Sequence, residues 1–99
     1  MDESLVMTAV DISGRGLLAY SADMPTEKVG AFDTALTEEF WQAFARTSGI
    51  TLHIRQLAGT NSHHIIEAMF KSAARSLRAA CAVDPSLGGE IPSTKGTLE

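Results

Sequence analysis

The chain carries one cysteine, Cys81, so it can close no internal disulfide, and a reducing cytosol suits it. It has no apolar run near the roughly 20 residues that a membrane helix needs. The acidic opening Met1-Asp2-Glu3-Ser4 has no apolar signal-peptide core behind it. Basic residues are in the minority, eight against twelve acidic ones, and the net charge of −4 argues against a grip on nucleic-acid phosphates. These absences leave a protein expected to be cytoplasmic, with no membrane and no nucleic-acid partner. What is present is globular: 44% of residues are hydrophobic and 20% charged. Ninety-nine residues make one domain or less. A chain of this length buries only about 60–65% of its unfolded surface, which leaves its core marginal.

Residues 5–12 alternate as a strand, with Val6, Thr8, Val10 and Ile12 on one side. Ser13-Gly14-Arg15-Gly16 interrupts it, and Leu17 to Tyr20 reads as a second strand, so a hairpin around the glycines is expected. Asp23 to Gly30 reads as a loop. Asp33-Thr34 can cap a helix on which Leu36, Phe40 and Phe44, with Trp41 beside them, form one apolar face. Gly49 stops that helix. Ile50 to Leu57 is a strand with Ile50, Leu52 and Ile54 on one face and Thr51, His53 and Arg55 on the other. After the turn Ala58-Gly59-Thr60, Asn61-Ser62 caps a helix running to about Val83. Its expected buried stripe is Ile66, Phe70, Ala73, Leu77 and Ala80 or Cys81, with Cys81 an inert buried thiol. Asp84-Pro85 ends the helix. The order β-β-α-β-α predicts an α+β sheet with helices on one face. Three strands and two helices are thin cover, so a sheet or helix face is expected to meet another chain or a further segment.

The chemistry concentrates in Asn61-Ser-His-His-Ile-Ile-Glu-Ala-Met-Phe-Lys71. His63 and Glu67 are four apart, and His64 and Glu67 three apart; both spacings make neighbours on a helix. Imidazole and carboxylate are ligands for a borderline or hard divalent metal. The adjacent histidines project about 100° apart, which points to two metals, one per histidine, with Glu67 shared or supporting. Lys71 and Arg75 continue the stripe, well placed for an anionic group such as phosphate. The plain alternative is a solvated polar face. His53 can equally be a hydrogen-bonded sheet residue, Glu39 beside Glu38 a solvent-facing carboxylate, and Arg15 a surface cation. Ser93-Thr94-Lys95-Gly96 has the hydroxyls, ammonium and backbone N–H groups of a small anion-binding turn.

Over Met1-Asp2-Glu3-Ser4-Leu5, Asp11 to Arg15, Glu38 to Trp41, Gly49 to Ile54, Gly59 to Ala68, Phe70-Lys71 and Ile91 to Gly96, the chain resembles the C-terminal half of imidazoleglycerol-phosphate dehydratase. The resemblance implies a half-domain like domain 2 of ribosomal protein S5, residues 1–99 matching the C-terminal repeat, with 86–99 as a phosphate-binding tail. It implies a hydro-lyase of histidine biosynthesis that converts imidazole glycerol phosphate to imidazole acetol phosphate and water. It implies two Mn²⁺ ions per active site and a 24-subunit homo-oligomer whose metal sites are shared across subunits. Residue by residue it implies His63, His64 and Glu67 as metal ligands and catalytic groups. Glu39 becomes a further ligand at a position where the family often has histidine. Arg15, Lys71, Ser93 and Lys95 become phosphate-binding residues, and Asp2 an acidic residue near the substrate. It assigns His53 no metal role.

The resemblance covers one half of a two-half protein, so the chain reads as a fragment or truncated reading frame. Three outcomes are distinguished: a dehydratase half that needs its other half, a metal-binding and self-associating fragment without turnover, and a metal-free interaction domain. The Ser93-Thr94-Lys95 turn serves a phosphate ligand and has no purpose in a bare interaction domain.

Overall fold

The computed structural model describes residues 1–83; the Asp84-Pro85 stop and the tail with Ser93 and Lys95 lie outside the described residues. Strand β1 (Leu5–Asp11) is followed by β2 (Leu17–Ser21), a two-residue ladder of β3 (Lys28–Val29) with β4 (Phe32–Asp33), helix α1 (Ala35–Ser48), strand β5 (Thr51–Ala58) and helix α2 (Ser62–Cys81). The class is α+β, and its main elements run in the expected β-β-α-β-α order.

The expected hairpin is not formed. β5 lies between β1 and β2, antiparallel to the first and parallel to the second. Residues 12–16 therefore span a whole strand's width instead of closing a tight turn. The pivot is a set of bonds at the start of β5: the Leu17 N–H donates to the carbonyl of Ile50, just before the strand, at 3.0 Å, and the Ser13 and Thr51 hydroxyls meet at 2.8 Å. Segment 23–30 also departs from a plain loop, since its end pairs as the short β3–β4 ladder.

Alternation decides which sheet face is covered. Val6, Leu52 and Ile54 point inward to Trp41 and Ala45 of α1 and to Ile65, Ala68, Met69 and Ala73 of α2. Leu52, Ile54, Ile65 and Met69 are almost wholly buried, each contributing about 1.5–3 kcal/mol. The opposite face is open and carries Leu5, Met7 and Leu57, all at least half exposed, with His53 between Ala9 and Ala19 in register.

Both helices are rotated from the faces that apolar spacing predicts. In α1 the buried stripe is Thr37, Trp41 and Ala45, while Leu36 and Phe40 are exposed. In α2 it is Ser62, Ile65, Ala68, Met69 and Ala73. Ile66 is only half-buried and Phe70 exposed. The reason is a second contact. Phe70 turns toward α1, with its ring centroid 4.7 Å from Trp41 and 5.3 Å from Phe40. The sheet-facing side of α2 tolerates polar groups because Thr8 satisfies them: its hydroxyl bonds Ser72 at 2.9 Å and Ser76 at 2.6 Å. Cys81 is exposed, contrary to expectation. Twenty residues of helix extend about 30 Å, longer than seven-residue β1 at about 23 Å, so the last turn overhangs the sheet.

Gly49 ends α1 in the left-handed region, with its N–H returned to Ala45 O. Thr34 starts α1, yet its hydroxyl bonds Thr26 O and Glu27 O; the Asp33 carboxylate accepts the Ala35 N–H instead. Thr26 in turn holds Ser62, its N–H and hydroxyl both reaching Ser62 Oγ. The loop is thereby tied to the first turn of α2, where the chemistry sits.

Candidate metal centre at the start of the second helix

Asn61 caps α2, its side-chain oxygen accepting the His64 N–H at 3.1 Å. This sets His63 and His64 on the first turn, rings 6.2 Å apart and 77° between planes. The two imidazoles face different carboxylates. His63 Nε2 lies 3.3 Å from Glu67 Oε2. His64 Nδ1 lies 2.5 Å from Glu3 Oε1, and its Nε2 is 3.7 Å from Asp2 Oδ2. Lys71 Nζ pairs with the other Glu67 oxygen at 3.0 Å.

The N-terminal segment reaches this helix through a turn. Ser4 N–H bonds Met1 O at 2.8 Å, and Asp2 takes a positive φ of 47°, a region that Asp enters more readily than most residues. Glu3 is then fixed by three donors: His64, the Thr60 N–H at 2.6 Å and the Ser4 hydroxyl at 2.7 Å. Led by the bond to His64, they hold its carboxyl down at about 2. Lys71, first, and His63 hold the Glu67 carboxyl below its ordinary value. Gly59 makes the approach possible. It has φ +147°, and a Cβ there would meet Ile65 Cγ1 at 2.6 Å and Ser4 Oγ at 2.7 Å.

Thus Asp2, His63, His64, Glu67 and Lys71 come together as a cluster. Glu39 does not join them: it stands on the exposed side of α1, bordering a hollow with Ala35, Glu38, Gln42 and Arg46. Arg15 belongs to the turn beyond the far end of β1, about 20 Å of strand from the histidines. Its carbonyl accepts from the Ser13 and Thr51 hydroxyls. Glu3 is the residue that spacing could not single out, being 61 positions from its partner His64. Only the pairing of β1 with β5, which sets residue 5 beside residue 58, brings it there.

The donor chemistry fits divalent cations: each imidazole is neutral-capable, and each has a carboxylate beside it. Among the described residues, however, no three His, Cys, Asp or Glu side chains converge on one point. The cluster consists of two imidazole–carboxylate pairs, His63 with Glu67 and His64 with Glu3. An apolar hollow of about 390 Å³ opens beside His63 and Glu67, lined by Val29, Phe32, Ile66 and Phe70.

An α+β half-domain with its histidines and carboxylates gathered at one helix start is the class that fold and cluster define. The sequence profile described as imidazoleglycerol-phosphate dehydratase matches residues 1–77, and the chain belongs to that family. It is 57% identical over 98 residues to Imidazoleglycerol-phosphate dehydratase 1, chloroplastic, of Arabidopsis thaliana, covering 99% of this chain and 36% of that protein. It is 55% identical to the enzyme of Rhodopseudomonas palustris strain TIE-1, covering 99% and 50%. The crystal structure of the Staphylococcus aureus dehydratase superimposes with a TM-score of 0.83 at 46% identity, over 85% of this chain and 49% of that one. That of the Pyrococcus furiosus enzyme, in complex with (S)-C348, gives 0.85 at 38% identity, over 99% and 53%. The chain spans about half the length, or less, of the relatives it matches. No helix among the described residues is long and apolar enough to cross a membrane.

Proposed function

We propose that the chain is the C-terminal half of a dehydratase that takes water from imidazole glycerol phosphate to give imidazole acetol phosphate, at a two-Mn²⁺ site that other chains complete. The observation that carries this reading is the pair of imidazoles on the first turn of α2, each facing its own carboxylate and neither with a full ligand set. Two half-sites on one helix turn are what a metal pair shared between chains requires. The placement of Glu39 and Arg15 away from the cluster supports the same division: on this reading both serve a site formed with another copy in a homo-oligomer.

The reaction removes a weakly acidic proton from carbon and expels hydroxide as water. Two Mn²⁺ ions, when bound, supply Lewis acidity and a template for the substrate imidazole. His63 and Glu67 hold one cation and His64 the other, with Glu39 as a further ligand. Lys71 stands one turn beyond Glu67 and meets the substrate phosphate, joined by Arg15, Ser93 and Lys95; remote phosphate binding then positions the ring. Asp2, beside His64, faces the substrate. Glu67 is first a ligand on this reading and only second a carboxylate that could shuttle the proton.

The same half-sites support a second reading, a fragment that binds metal and self-associates without turnover. Its apolar surface favours it: Phe32, Leu36, Phe40 and Phe70 are all exposed on the helix side. Metal stoichiometry tests the binding that both readings share. The chain equilibrated with Mn²⁺ should retain it, and His64→Ala should lose most of it. Equal retention by both proteins would remove His64 from the site.

A further inference from the structure

We propose that Glu3 is the positioning residue for His64: its Oε1 accepts the Nδ1–H, so that Nε2 is the nitrogen offered to a cation. The inference rests on the metal-site reading above and adds a residue to it. It starts from the ring's two nitrogens, which face two different acids. Nδ1 is 2.5 Å from Glu3 Oε1, inside hydrogen-bonding range; Nε2 is 3.7 Å from Asp2 Oδ2, outside it. The proton between Nδ1 and Glu3 belongs to the imidazole. Glu3 Oε2 already accepts from the Thr60 N–H and the Ser4 hydroxyl, and an ionised carboxylate has no proton to give, so its Oε1 accepts as well.

Glu3 is itself held firmly enough to orient a ring. The Thr60 N–H belongs to the turn that feeds α2, and Ser4 is buried where the Gly59 turn packs on it. The backbone turn at Asp2 then splits the two acids to opposite edges of the imidazole, Glu3 behind and Asp2 on the ligand side. A carboxylate behind a ligating histidine fixes its tautomer and raises its basicity; removing such a partner costs about 10–100-fold in metal affinity. Among the described residues His63 has no equivalent arrangement, since Glu67 faces its Nε2. The two histidines are therefore built differently, and only His64 depends on the N-terminal segment.

The test uses the full metal-free chain, ¹⁵N-labelled, at about pH 8.5, where imidazole is neutral. Long-range proton–nitrogen correlation should show His64 protonated on Nδ1. Glu3→Ala should move the proton to Nε2 and leave the His63 signals in place. Glu3→Gln keeps an acceptor oxygen and should keep the tautomer. In a parallel titration with Mn²⁺ alone, Glu3→Ala should bind roughly 10–100-fold more weakly, with Glu3→Gln falling between it and the wild type. Trp41 fluorescence reports that each variant is folded. His64 protonated on Nε2 in the wild type overturns the proposal, as does unchanged Mn²⁺ affinity in a folded Glu3→Ala chain. A wild type that binds no Mn²⁺ but keeps the Nδ1–H tautomer overturns the metal-site reading and the cation half of the proposal, while the Glu3–His64 contact stands.

Discussion

Replacing Gly59 by alanine probes the joint between fold and site. A Cβ there would lie 2.6 Å from Ile65 Cγ1 and 2.7 Å from Ser4 Oγ. Ile65 is fully buried and Ser4 nearly so, leaving neither room to retreat. The backbone sits at φ +147°, where a side chain is strained whatever the space. Strain of about 1–3 kcal/mol for a sparsely populated backbone region and overpacking of about 1–3 kcal/mol give a loss of roughly 2–6 kcal/mol. Gly30 is the internal control: its φ is also positive, at +61°, but nothing lies within 4 Å of an added Cβ. Gly30→Ala should therefore show only the backbone cost, about 1–2 kcal/mol. Urea unfolding followed by Trp41, the sole tryptophan and 3% exposed, reads both variants directly. With a urea slope of about 1–3 kcal/mol per molar, the Gly59→Ala midpoint should fall roughly 1 M below that of Gly30→Ala. Equal midpoints would refute the idea that close packing of this turn on Ile65 and Ser4 holds the N-terminal segment to α2.

The observed rotation of α2 sets a second expectation: Met69→Ala should cost about 2–5 kcal/mol in the same assay, and half-buried Ile66→Ala distinctly less. Acid should destabilise the chain through Glu3 and Glu67, both held below their ordinary values. The Glu3 contribution is complete above its ordinary value of 4.5 and is lost as pH falls toward about 2. The urea midpoint should therefore drop across that interval, and less in Glu3→Gln; an identical acid limb in the variant would deny Glu3 its role. Lys71→Ala should remove the ammonium paired with Glu67 and raise the pH at which Glu67 titrates, read by carboxyl NMR shifts; an unmoved titration would show the 3.0 Å pair to be without effect.

Local signals in the sequence were enough for the main strands and both helices, though not for the β3–β4 ladder, and for half of the cluster. The Ile50–Leu52–Ile54 alternation, the glycine after α1 and the asparagine before α2 each answer to a rule that acts within a few residues, and all three stand in the structure. His63, Glu67 and Lys71 were legible for the same reason, being spaced at one helix turn. What was not legible depends on tertiary choice. Both helices have two adjacent apolar stripes, and spacing alone cannot say that Phe70 leaves the sheet for Trp41 and Phe40. The glycines after β1 read as a tight hairpin because nothing local announces that β5 will enter between the strands. Glu3 was hidden behind the same long-range pairing, though the acidic pair before a strand was visible in itself.

The central claim, a dehydratase half with incomplete metal sites, meets its most direct test in turnover of imidazole glycerol phosphate with Mn²⁺. The chain is assayed alone and again with the segment of the Staphylococcus aureus enzyme that it does not match supplied in trans. Turnover that arises only on mixing, together with metal bound by the mixture, is the expected result. Full turnover by this chain alone would contradict the half-site account, and metal-loaded mixtures without turnover would leave the self-associating metal-binding fragment as its function.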